Sequence, residues 1–175
     1  MSAPTSRWTD TGAAAALVIA AVGAAAILGA YFFQYVVGLA PCPLCLEQRI
    51  PYYMAIPLGV IVALAAWNRA PRGVVAAGLA ILGIAMLIGA GLGVYHAGVE
   101  WKWWQGPLDC SGPIANFGSA DNLLRQMQTT SVVRCDEAAW RFLGISLAGY
   151  NVLISLALAF VALWGIGRTL RRPQA

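Results

Sequence analysis

Four stretches of this 175-residue chain contain no Asp, Glu, Lys or Arg: Gly12 to Ala40, Ile50 to Trp67, Gly73 to Val99 and Phe142 to Gly167. A helix needs about 20 mostly apolar residues to cross a hydrocarbon layer. Backbone polar groups in lipid must be satisfied internally, which leaves helices and closed barrels as the spanning structures. A composition of 60% hydrophobic and 10% charged residues does not describe an ordinary soluble domain. The sequence therefore predicts an all-α membrane protein. Its expected form is a four-transmembrane-helix bundle, one domain over 1–175, with spans near 12–40, 50–67, 73–99 and 142–167 and loops at 41–49 and 100–141. The first run is far longer than the ~7–15 apolar residues of a secretory leader, so it reads as a span.

Charge sets the expected orientation. The two termini and the loop between the second and third runs hold Arg7, Arg69, Arg72, Arg168, Arg171 and Arg172 against Asp10. The opposite loops hold Arg49, Lys102, Arg125, Arg134 and Arg141 against Glu47, Glu100, Asp109, Asp121, Asp136 and Glu137. Lys and Arg near span ends favour the cytoplasmic side, so both termini are expected there. All four cysteines fall in the opposite loops, where disulfides can persist. The positive net charge then reads as topology and contact with anionic lipid, and no basic-aromatic pattern of a nucleic-acid binder is present.

Along the chain, the first span is rich in Ala and Gly, which allows close helix approach in lipid. Tyr31, Phe32, Phe33 and Tyr35 collect toward one end of it, as aromatic side chains do at a membrane interface. Pro41 and Pro43 then force a turn around Cys42-x-x-Cys45. The second span starts near that motif, so Cys45, Gln48 and Arg49 fall at i, i+3 and i+4 on one face, while Pro51 and Pro57 imply local distortion. Trp101, Trp103 and Trp104 follow the third span as an interfacial belt. Between Gln105 and Arg141 the chain is polar, and Leu123, Leu124 and Met127 share one face of a short amphipathic helix expected on the membrane surface. Asn151 and Ser155, four apart in the last span, suit an interhelical hydrogen bond.

Four cysteines allow several pairings. Proximity favours Cys42 with Cys45 and Cys110 with Cys135, either as structural bridges or as redox pairs. A bridge across Cys-x-x-Cys removes little chain entropy, so that pair reads better as redox-active. A zinc site usually takes two close ligand pairs, and the sequence offers one, so no metal is assigned. Arg49 has two readings: a snorkelling anchor, or a cation that stabilises a Cys45 thiolate or the charge on a reduced acceptor. His96, the one histidine, sits where the third span leaves the bilayer, with a structural role and a ligand contact both open.

Taken together, Pro41-Cys42-Pro43-Leu44-Cys45 with Gln48-Arg49, Tyr95-His96 ending the third span, Cys110, and Cys135-Asp136 before the fourth resemble the DsbB family. These are bacterial disulfide-forming proteins, and the likeness covers nearly the whole chain. It implies a protein-dithiol:quinone oxidoreductase of the bacterial inner membrane, with active-site loops in the periplasm. The implied partner is a DsbA-like thioredoxin-fold oxidase, and the implied acceptor is ubiquinone or menaquinone. On that resemblance Cys110 forms the mixed disulfide and Cys135 resolves it. Cys42 and Cys45 pass electrons on, Cys45 meets the quinone ring, and Arg49 holds the quinone with His96 beside it. In better-known members a glutamate directly precedes the arginine; here that position is Gln48, with Glu47 before it. A DsbI-like paralogue with a dedicated partner and a non-enzymatic membrane scaffold with structural disulfides are the competing readings. The energetics agree with a quinone: DsbA is strongly oxidising, at about −120 mV, a value established for that protein rather than for this chain, so its own oxidant must be more positive still.

Overall fold

The computed structural model describes residues 7–107 and 134–171. In order these form α1 (Arg7–Tyr31), a π-helical turn (Phe32–Val36), α2 (Pro43–Glu47), α3 (Ile50–Trp67) and α4 (Arg72–Glu100), then β1 (Arg141–Phe142), β2 (Ile145–Ser146) and α5 (Leu147–Leu170). Four of the helical segments are long and apolar enough to cross a membrane: Thr11–Val36, Pro43–Trp67, Arg72–Glu100 and Leu147–Leu170. The fold is thus the expected four-helix bundle. The amphipathic helix expected around Leu123 to Met127, and Cys110, lie outside the described residues.

Helix α4 packs most extensively on α5, and α1 on α3; α3 with α4 and α1 with α5 complete the ring. The interior is built largely from small side chains such as Ala16, Ala63, Ala66 and Ala162, around Ile19, Leu79, Leu82 and Met86. Large apolar residues including Leu28, Ile61, Ile84 and Leu163 face outward. Lipid tails solvate Leu and Ile as well as a core does, so association in a bilayer depends on close backbone packing. Gly59 shows the requirement directly: a Cβ there would stand 2.8 Å from the Ala16 carbonyl oxygen on α1.

The turns between spans follow local chemistry. At the end of α3, Arg69 takes a left-handed conformation (φ 57°), and the Ala70 N–H reaches back to the Ala65 carbonyl at 2.9 Å. This is a Schellman closure, and Pro71 then prevents continuation. The far end of α4 closes the same way, with Lys102 at φ 61° and the Trp103 N–H on the Gly98 carbonyl at 2.9 Å. Trp104 folds back over Gly98, stacks on Tyr95 with centroids 6.1 Å apart, and donates its indole N–H to the Tyr95 carbonyl at 2.9 Å.

Two span ends differ from the sequence expectation. The first helix does not run to residue 40; it passes into the π turn at Phe32–Val36 and ends at Gly38, whose φ of +83° breaks the helical path. The last span starts at Leu147 rather than at 142. Arg141 and Phe142 instead pair with Ser146 and Ile145 as a hairpin, turned by Leu143 and Gly144 at φ 49° and 81°, the two left-handed positions of a tight hairpin. Ser146 then caps α5 by accepting the Gly149 N–H at 3.2 Å.

Candidate functional site

Pro43 occupies the first helical position of α2, where its missing N–H costs nothing, and Cys42 becomes the N-cap. The Cys42 Sγ accepts the Cys45 backbone N–H at 3.2 Å, which brings the two sulfurs to 2.7 Å. Both cysteines are free thiols. Cys42 is 2% exposed, whereas Cys45 is only partly buried. The hydrogen bond to Cys45, reinforced by burial, holds the Cys42 thiol above its ordinary range.

Cys135 is fully buried against this pair, in one cluster with Cys42, Leu44, Val99 and the partly buried Cys45. It is itself disulfide-bonded. The residues on either side of it, exposed Arg134 and half-buried Asp136, are paired: Arg134 makes two hydrogen bonds to Asp136, at 2.9 and 2.6 Å. The guanidinium holds the Asp136 carboxyl below the usual carboxylate range.

His96 joins from α4. Its Nε2 lies 3.6 Å from the Cys42 Sγ and 3.8 Å from Glu100 Oε1, and its Nδ1 is 2.6 Å from Gln48 Nε2. A chain of amides fixes the imidazole tautomer. Asn151 Nδ2 donates to the Gly89 backbone carbonyl at 3.3 Å, so its Oδ1 receives the Tyr52 hydroxyl at 2.6 Å. The same Nδ2 donates to Gln48 Oε1 at 2.6 Å. Gln48 must therefore present its amide nitrogen, which also donates to the Leu44 carbonyl at 3.3 Å. His96 Nδ1 is the acceptor, and the proton of the neutral ring sits on Nε2, facing Cys42 and Glu100.

Arg49, at the junction of α2 and α3, is 8% exposed. Its Nη1 donates to Gln34 Oε1 of the π turn at 2.8 Å, and its guanidinium lies 5.4 Å from the centroid of the Tyr31 ring. The π turn thus carries the residue that orients the arginine.

A cavity of about 470 Å³ opens among α1, the α2–α3 junction, the end of α4 and the start of α5. Small residues of α1, among them Val22, Ala26, Gly29 and Ala30, give it a smooth apolar wall, and Cys45, Gln48, Arg49 and His96 give it one polar end. Trp140 also lines it, packed on Phe33 with centroids 4.9 Å apart.

Of the residues singled out in the sequence, Cys42, Cys45, Arg49 and His96 line this one cavity, and Cys135 packs behind it. Donor atoms of Cys42, Cys45 and His96 all lie within 4.8 Å of one another. Two thiolates on a tetrahedral zinc stand ~3.8 Å apart, so sulfurs at 2.7 Å are placed for bonding to each other rather than for sharing an ion. Sequence reasoning missed Gln34, Glu100 and Asn151 as parts of the site, and did not foresee that Gln48 would hold His96. Two signals were available: Glu100 stands one helical turn after His96, and Asn151 is an amide inside an apolar span.

Comparison with known proteins gives a consistent picture. Residues 12–165 match the family model described as "Disulfide bond formation protein DsbB". A protein named Disulfide bond formation protein B from Nitrosococcus oceani is 35% identical over 147 residues, covering 79% of this chain and 81% of that protein. One of the same name from Hahella chejuensis is 32% identical, covering 83% and 86%, and one from Marinobacter nauticus is 30% identical, covering 77% and 80%. No solved structure matches.

Proposed function

Because this chain belongs to the DsbB family of disulfide bond formation proteins, we propose that it is the inner-membrane oxidoreductase that moves electrons from a periplasmic DsbA-like dithiol to a membrane quinone. Family membership and four apolar helices make it a multi-pass membrane protein of disulfide formation. The finer reading concerns the route of the electrons.

What supports that route above all is contiguity: Cys135 is packed against Cys42 at the protein's cysteine-bearing end, and Cys45 of the same pair opens onto an apolar cavity. With Cys42 and Cys45 both free, we assign Cys110 as the partner of Cys135. A thiolate of the DsbA-like protein attacks Cys110, the bond to Cys135 breaks, and the partner's second thiol releases it as a disulfide. The Cys135 thiolate then attacks Cys42 of a Cys42–Cys45 disulfide, and Cys110 resolves that intermediate. Two electrons and two protons have now moved to the inner pair, which returns to a disulfide by passing both electrons to the quinone.

The cavity suits such an acceptor. Pockets for flat organic ligands are mostly apolar with a few convergent polar groups. Here the α1 wall is apolar, and Arg49 stands at the polar end with guanidinium donors beyond the one used on Gln34. When bound, a quinone supplies a two-electron, two-proton sink reached from the lipid. Arg49 offers its positive charge where negative charge develops, and Tyr31 and Gln34 keep that guanidinium from swinging away.

Purified protein given ubiquinone and a reduced DsbA-like protein should form quinol and oxidised partner in equal amounts, and Cys45→Ser should abolish both. Turnover in Cys45→Ser, or none in the intact protein with either quinone class, would overturn the reading. A Cys135→Ser variant should trap the partner on Cys110; a dedicated partner of a DsbI-like paralogue would be identified by the same trap.

A further inference from the structure

Glu100 is the buried charged group that the relay leaves without a task. It is 8% exposed, it lines the cavity with Cys42, Cys45 and His96, and its Oε2 is fully buried with no hydrogen-bond partner among the described residues. Its Oε1 is 3.8 Å from His96 Nε2.

The single Nε2 proton of His96 faces the Cys135 backbone carbonyl, with which the ring also hydrogen-bonds, and two acceptors able to carry charge, the Cys42 Sγ at 3.6 Å and Glu100. It can fully serve only one anion at a time. When Cys42 and Cys45 form a disulfide, the sulfurs carry no charge, and an ionised Glu100 can take the His96 proton as its donor. When the pair is reduced to one thiol and one thiolate, a second negative charge enters the same confined space. Two like charges so placed raise each other's proton affinity, and one of them is neutralised. Gln48 prevents the histidine from supplying the countercharge, because its amide donor on Nδ1 opposes a second ring proton. The other groups facing Glu100 are Ser146 and Arg141 of the hairpin, with Arg49, Arg134 and Glu137 around the cavity. Arg141 favours the anion, but its side chain is exposed to solvent, where a charge acts weakly, whereas Cys42 is buried with Glu100 and Cys45 is half-buried beside it.

We propose that Glu100 is the proton store of the inner cysteine pair: it takes up a proton when the Cys42–Cys45 disulfide is reduced and releases it when the pair is reoxidised. On reduction the S–S bond breaks, and two electrons and two protons arrive from the outer dithiol. One proton stays on the sulfur pair, which keeps one thiolate, and the other protonates Glu100. On reoxidation the S–S bond re-forms, and both electrons and both protons leave together for the acceptor. The carboxyl thus lets the pair hold a reactive thiolate while still carrying both protons. This inference rests on the redox reading of Cys42 and Cys45, and it does not depend on which acceptor is used.

The test is reduced-minus-oxidised infrared difference spectroscopy on full-length, quinone-free protein poised with a dithiothreitol buffer. Reduction should produce a protonated-carboxyl C=O band that shifts when glutamate is 13C-labelled and disappears in Glu100→Gln. Measured against the dithiothreitol couple, which also exchanges two protons, the reduction equilibrium of the Cys42–Cys45 pair should be independent of mildly acidic pH in the wild-type protein and should shift about tenfold per pH unit in Glu100→Gln, because the variant takes up one proton rather than two. No glutamate-sensitive band in the labelled wild-type protein overturns the proposal without need of a variant, and so does a reduction equilibrium that responds to pH in Glu100→Gln as it does in the wild-type protein. If Cys42 and Cys45 do not cycle between dithiol and disulfide at all, the redox reading fails along with it. If they cycle without the band, only the role of Glu100 fails.

Discussion

Arg49 illustrates how a single residue's reading changes once its neighbours are known. By position it could have been a lipid anchor, yet it is buried, held by Gln34 at 2.8 Å and stacked on Tyr31. Hydrogen bonds to charged groups contribute about 1.5–3 kcal/mol, so Arg49→Gln should raise the quinone KM about 10- to 100-fold. Formation of the mixed disulfide at Cys110 should be unchanged, and steady-state kinetics at varied quinone, with trapping in parallel, measures both. At Cys135 the flanking pair sets a pH response. Asp136 is held below the ordinary carboxylate range, so its ion pair with Arg134 is fully present above ~3.9, the usual aspartate value. The pair is lost only as pH falls through the lowered one. Carboxyl NMR should find Asp136 ionised through the ordinary aspartate range, and Arg134→Ala should return it to normal titration. Cys42, Cys45, Cys135 and His96 stood out in the sequence because cysteine and histidine are rare in this chain, and Arg49 because it is a charge at the edge of an apolar span. Gln34 and Asn151 did not, because an amide gains meaning only from the residue that folding sets opposite it.

At the level of elements, the spans were legible because lipid permits few alternatives, but their cysteine-bearing ends were not. The π turn at Phe32–Val36 and the hairpin at Arg141 to Ser146 are both apolar enough to read as continued helix. They are set instead by left-handed backbone at Gly38, Leu143 and Gly144, which hydropathy does not register. These departures shape the site, since the π turn carries Gln34 toward Arg49 and the hairpin region brings Trp140 over Phe33. Helix α1 contributes chiefly by what it lacks. A Cβ at Gly29 would meet no atom within 4 Å, and the residue lines the cavity. Gly29→Leu should therefore leave the fold intact, with a gain of roughly 1 kcal/mol in helix propensity, while filling space that the acceptor needs. Its expected signature is a raised quinone KM with unchanged thermal stability or a small increase. A large loss of stability, or an unaltered KM, would show that the cavity does not receive the acceptor.

For the whole molecule, the bundle joins two environments. One end carries the cysteine-bearing segments, while the cavity beside Cys45 is walled by helices whose outer faces expose Leu28, Ile61 and Leu163. Sequence alone suggested this division through charge and cysteine placement. It could not show that Cys135, ninety positions beyond Cys45, packs on the same cluster, because that contact depends on how α4, the hairpin and α2 converge. The central claim is that electrons leave through Cys42 and Cys45. It is tested most directly by giving fully reduced protein one equivalent of a ubiquinone analogue, counting quinol by absorbance and mapping the new disulfide by mass spectrometry. A relay of this kind yields one quinol per disulfide formed, shared between the inner and outer pairs in the intact protein and confined to Cys42–Cys45 in a Cys110→Ser/Cys135→Ser double variant, and none in Cys45→Ser. Quinol formed at the intact yield by Cys45→Ser, or none formed by the double variant, would contradict it.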